Sequence, residues 1–166
     1  MYDGFTYTTL NAPLGINGTY INGINASGQI VGYYQDAIAY HGFSYKNGTW
    51  ATIDDPLGVN GTKATGVDGN GNIVGYYYDA NLTVHGFIYD GSSYSTLDAP
   101  NAHSTAIEGI SFDGVIVGVY ADNINQFQIG FIATVPEPSS LLSIPMGFTA
   151  IFLMSRNRKR HRAPVL

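Results

Sequence analysis

The sequence predicts an all-β fold: propeller-like repeats of four antiparallel strands, about three units, followed by a C-terminal hydrophobic helix. Three observations carry that expectation. The 166 residues include 21 Gly and 13 Tyr, yet only 11% are charged; Gly serves tight turns and Tyr suits half-buried pleated surfaces. A period of 43 to 44 residues runs through the first 134 positions. X-Gly pairs recur at the same offsets in every period, as hairpin turns require. The absence of Cys excludes a disulfide scaffold, a Cys-ligated zinc site and a thiol nucleophile.

The period rests on three blocks in one register. YDGFTYTTLNAP from Tyr2 matches YKNGTWATIDDP from Tyr45 and YDGSSYSTLDAP from Tyr89. GINASGQIVGYYQD from Gly23 matches GVDGNGNIVGYYYD from Gly66 and GISFDGVIVGVYAD from Gly109. HGFSY from His41 matches HGFIY from His85 and IGFIA from Ile129. Each unit reads as four short strands. Ser27-Gly28, Asn70-Gly71 and Asp113-Gly114 are expected as type I′ turns before the I-V-G strand. Asp3-Gly4, Asn47-Gly48 and Asp90-Gly91 join the GF-x-Y strand to the fourth strand. Pro13, Pro56 and Pro100 end that strand, where a ladder donor is dispensable.

The repeat phase sets a further expectation. The chain opens on a fourth strand, FTYTTL, and its repeats close on a third, GFIATV. Three complete units therefore need the Tyr2–Leu10 region beside Gly130–Thr134, with Phe5 and Phe131 on one sheet. Three blades are fewer than the roughly four to eight of closed rings. Met1 also runs directly into strand-like sequence, without a basic and then apolar leader. Both features suggest a piece of a longer repeat array. The blocks GINASGQIVGYY and HGFSY resemble the extracellular HAF-type repeats of bacteria, with Gly42 and Gly86 where that family usually has Ala. The resemblance spans roughly residues 2 to 134 and implies an architecture but no particular chemistry.

Charge separates the tail from the body. Five of the seven basic residues, Arg156, Arg158, Lys159, Arg160 and Arg162, lie in the last eleven positions. Before Pro136 only Lys46 and Lys63 face eleven acids, so the body carries no footprint for nucleic acid. Leu141–Met154 is an apolar stretch of 14 residues, about 21 Å as a helix at roughly 1.5 Å per residue. A full span takes around 20 residues, and Pro145 weakens the first turn, so this is a marginal anchor. The basic end holds that side in the cytoplasm by the positive-inside rule.

The order of Val135, Pro136, Glu137, Pro138 and Ser139, then the apolar run, then the basic end, resembles the PEP-CTERM sorting signal of Gram-negative bacteria. The organisation that follows is a repeat β domain (1–134), a sorting linker (135–140), a hydrophobic transmembrane helix (141–155) and a basic cytoplasmic tail (156–166). A helix over about Ser140–Arg158, detached from the body, is expected. The resemblance implies export, retention at the inner membrane, processing by an exosortase, release to the cell surface, and hosts that make exopolysaccharide.

Chemistry in the body reads weakly. A residue present in every unit is a fold device before it is a catalyst. Asp36, Asp79 and Asp122 read as loop residues capping turns, as do Asn11, Asp54 and Asp98. His41 and His85 correspond to Ile129 in the third unit, so a symmetric His metal site is not expected and strand-end packing is. Asp68-Gly-Asn70-Gly-Asn72 mimics the start of a calcium loop, but Ile73 holds the sixth position and the closing Glu is missing. His103 and Glu108 are the one imaginable acid–base pair. No nucleophile elbow, P-loop or H-E-x-x-H occurs. No catalytic residue, metal ligand or cofactor is therefore expected. Two readings compete: a non-enzymatic surface or matrix protein, and a carbohydrate-binding or carbohydrate-active propeller stacking sugars on Tyr and Trp50. Burial of Tyr34, Tyr77 and Tyr120 decides between them.

Overall fold

Each repeat folds as an antiparallel meander. The computed structural model describes residues 7–123 and 127–135. The first sheet runs in the order β1 (Thr19–Ile24), β2 (Ile30–Gln35), β3 (Tyr40–Lys46) and β4 (Thr49–Thr52). The second repeats it with β5 (Thr62–Val67), β6 (Ile73–Tyr78), β7 (Val84–Tyr89) and β8 (Tyr94–Thr96). The third holds β9 (Ala102–Ile110), β10 (Val115–Asp122) and β11 (Gln128–Thr134). The described residues are all-β, with no helix.

The I-V-G block dictates the centre of every sheet. Gly32, Gly75 and Gly118 stand opposite Phe43, Phe87 and Phe131 in register. A Cβ at Gly75 would lie 2.0 Å from the Lys63 carbonyl oxygen and 2.8 Å from the Phe87 ring. Only glycine leaves room for the aromatic partner. Phe43 and Phe87 are accordingly buried.

The sheets pack in chain order. Val31 and Ile53 from the first unit meet Ala64, Val67, Ile73 and Phe87 of the second in one core. Val74 and Ile88 meet Ile107 and Ile116 of the third in the next. Bulges reinforce this stacking. β1, β5 and β9 share a skip in register, at Asn22, Thr65 and Glu108, and β9 has a second at His103. Asn22 Nδ2 donates to Ala64 O at 2.8 Å and Thr65 Oγ1 to Ile107 O at 2.8 Å. A residue without a ladder partner on its own sheet thus reaches the next one.

Three expectations need correction. Ser27-Gly28, Asn70-Gly71 and Asp113-Gly114 are not type I′ turns, because only their glycines have positive φ. Gly28 N donates to Asn25 O and Asn25 N to Gln29 O, the three-residue loop in which a type I turn is followed by a left-handed glycine. The side chain before each loop explains the choice: Asn25 Oδ1, Asp68 Oδ1 and Ser111 Oγ accept amides inside the loop. Asn47-Gly48 is the true type I′ pair, with φ of 50° and 84°.

Second, among the described residues the third sheet has three strands, and β11 forms its edge. Third, the expected closure is not seen among the described residues: Tyr7–Leu10 carry no strand, and the three sheets described form no closed propeller. Successive sheets stack one way, so the first and third are separated by the second. Phe5 lies outside the described residues, as does the expected helix over Ser140–Arg158. Among the described residues no helix is long and apolar enough to cross a membrane.

Candidate functional site

The first polar constellation is an Asp–His–Asp bridge that occurs twice. His41 stands second on β3, where Nδ1 lies 2.7 Å from Asp54 Oδ2 and Nε2 lies 3.3 Å from Asp36 Oδ2. His85 repeats this on β7, 2.7 Å from Asp98 and 3.7 Å from Asp79. Tyr34 and Tyr77 stack on the two imidazoles at centroid distances of 5.1 and 5.3 Å. Burial alone depresses the His41 imidazole, but the hydrogen bond and charge of Asp54, and then Asp36, outweigh it and raise its pKa. Asp36 is held below the ordinary carboxylate value, first by the amides of Ala39 and Ile38 and then by His41.

Asp36 and Asp79 therefore cap loops as expected: Asp36 Oδ1 accepts from Ile38 and Ala39, and Asp79 Oδ1 from Asn81 and Thr83. What the sequence reading missed is their convergence with Asp54 and Asp98 on the histidines. The signal was available as a constant spacing of 13 residues from each His to its Asp. The second oxygen of each Asp takes the amide of Gly42 or Gly86. Every strong acceptor in the bridge thus has a structural donor. The arrangement ties a strand to two loops and offers no nucleophile.

The remaining candidates separate. Asp68 is 1% exposed and takes three hydrogen bonds from Asn70 and Asn72 within its own turn. Among the described residues no group of three His, Asp or Glu side chains is placed to hold a metal. His103 and Glu108 sit on one strand, β9, five residues apart, which is roughly 16 Å of extended chain. Direct proton exchange between them is excluded.

A second constellation breaks the repeat symmetry. Lys63 Nζ lies 3.9 Å from the Tyr40 ring centroid and 4.8 Å from that of Tyr33. Tyr76 and Tyr78 follow at 5.8 and 5.9 Å, and Tyr20 stacks on Tyr33 at 4.7 Å. The ammonium is thus enclosed by electron-rich faces from two sheets, and burial lowers its pKa. Tyr34 and Tyr77 are buried and Tyr120 is half-buried, so the three tyrosines named above form no open sugar platform. Their strand neighbours Tyr33 and Tyr76 point the other way and line this groove instead. Trp50 is half-buried, wedged between Phe43 and Tyr45 at 4.9 Å from each, beside a hollow of about 140 Å³ lined by Ala12, Pro13 and Leu14.

Of the sorting motif, Val135 alone is among the described residues. Its N–H donates to Gly114 O at 2.9 Å and its side chain joins the core between the second and third sheets. Pro136, Glu137, Pro138, Ser139 and the basic residues Arg156, Arg158, Lys159, Arg160 and Arg162 lie outside them. Compared with known protein families, curated proteins and solved structures, the chain matches none.

Proposed function

We propose that this chain is a non-enzymatic, exported surface or extracellular-matrix protein, sorted through residues 135–166 and processed by an exosortase-type enzyme. The observation that carries this reading is the order of features after Thr134: Val135–Ser139, the apolar Leu141–Met154, then Arg156 to Arg162. The body supports it, since both Asp–His–Asp bridges are engaged in bracing loops. An anchor this short serves retention for processing better than permanent residence, because polar backbone near its ends is costly in lipid. The test is expression in an exosortase-bearing host, followed by mass spectrometry of the surface pool. The mature chain is expected to end near Ser140. Peptides containing Phe148 in that pool overturn processing and leave a membrane-anchored protein.

A second reading, carbohydrate binding, is favoured by the tyrosine groove around Lys63. Aromatic faces with polar tips suit sugar stacking, and exopolysaccharide is the partner class that the tail resemblance implies. Affinity electrophoresis in host exopolysaccharide measures it: Tyr40→Ala and Tyr33→Ala should each abolish retardation. Retardation unchanged in both variants removes this reading and leaves the sorting proposal untouched.

A further inference from the structure

We propose that a second copy of this chain docks head to tail on the outer face of the third sheet. The basis is the interface the chain already uses twice. Position for position, Val31 and Val74 face the following unit and are fully buried by it. Their equivalent, Val117, faces outward and is 47% exposed. Ile88, buried against the third unit, has Ile132 as its equivalent, also 47% exposed.

The opposite end carries the other half. Ala64 and Val67 receive the first unit, and Ile107 receives the second. The equivalents on the first unit, Ile21 and Ile24, are 52% and 65% exposed. The chain thus leaves a donor face at one end and a receiver face at the other. Two different surfaces that fit each other make a heterologous contact, which joins copies in one direction.

The strand phase points the same way. Ile53 N donates to Gly42 O and Leu97 N to Gly86 O, linking each fourth strand to its sheet. A Cβ at Gly42 or Gly86 would lie 2.3 or 2.5 Å from those residues' carbonyl oxygens. At Gly130 the same space holds no described atom nearer than Gly118 O at 4.0 Å. The residue equivalent to Ile53 and Leu97 is Leu10, directly ahead of the first sheet. An incoming copy that stacks its first sheet on the third therefore brings Leu10 to the edge of β11.

Glu108 moderates the contact. It occupies the bulge position from which Asn22 and Thr65 donate to the next unit, and an ionised carboxylate only accepts. Facing the Ile21 carbonyl of an incoming copy, it forfeits the hydrogen bond that both internal interfaces have. The junction between copies is thereby weaker than the junctions within one.

Sedimentation velocity of the full chain in density-matched detergent tests this. Concentration-dependent dimers are expected, and larger head-to-tail species with the same response support the contact equally. Glu108→Gln should tighten association about tenfold, the scale of one hydrogen bond. Val117→Lys and Ile21→Lys, both at exposed positions that tolerate lysine, should each abolish it. Mixing these two variants should restore a 1:1 dimer, because each retains the face the other lacks. A monomer at all concentrations, Glu108→Gln included, overturns the proposal in favour of a single chain whose faces stay unused or are covered by its own segments. Association that survives both lysine variants, or a mixture that stays monomeric, overturns it as well.

Discussion

His41 holds Asp54 at 2.7 Å through Nδ1, and this short contact fastens the strand that carries the imidazole to the loop leading into the next repeat. Its pH dependence follows from two shifts of opposite kind. The His41 pKa is raised above its ordinary 6.5, so its contribution is complete below that value and is lost as pH rises through the folded pKa. The Asp36 pKa is lowered below 3.8, so its contribution is complete above 3.8 and is lost on further acidification. Both act together between about pH 4 and 6.5. His41→Asn should lower the melting temperature by about 5 °C at pH 5.5, and the gap to the parent should narrow toward pH 8.5. Equal gaps at both pH values would refute the linkage.

Asp68 is a turn residue, and its chemistry predicts which replacement survives. Asn25 performs the same role one unit earlier. Asp68→Asn should therefore cost little, whereas Asp68→Ala removes the acceptor of the Asn70 and Asn72 amides and should cost about 1 kcal/mol. Urea denaturation of the two variants distinguishes them.

Phe87 and Phe131 occupy equivalent positions opposite glycine, but only Phe87 is fully buried. Phe87→Ala should lose about 3–5 kcal/mol. Phe131→Ala, on the edge strand, should lose less than half as much. Similar losses in chemical denaturation would mean that the third sheet is as well covered as the second.

Val135, the last described residue, is tied to the body through Gly114 O and the core between the second and third sheets. A chain ending at Val135 should melt with the parent. One ending at Thr134 should melt about 5 °C lower. Coincident melting of the two truncations would place the structural boundary at Thr134.

Much of the fold was legible because the repeat preserves what the backbone needs. The I-V-G blocks mark the central strands, and each Gly–Phe pair recurs in register. Turn type was not, since it is decided by the side chain three residues before each turn glycine: Asn25, Asp68 and Ser111 accept the loop amides and favour a longer turn than the X-Gly pair suggests. The Asp–His–Asp bridge stayed hidden because its members come from a strand and two loops, and only folding shows that they converge. Which tyrosines face outward stayed open in the sequence, because adjacent residues such as Tyr33 and Tyr34 point oppositely and composition does not choose between them.

The bulges at Asn22 and Thr65 have a bearing on how such a chain changes length. Each reaches a backbone carbonyl rather than a particular side chain on the next sheet. A partner of that kind is offered by any unit with the same backbone, whatever its surface residues. Copying a segment of about 43 residues within the gene therefore inserts a sheet that finds both neighbours ready, and deleting one closes the gap. The joint itself thus accommodates duplication, which leaves the outward-facing residues of each copy free to diverge.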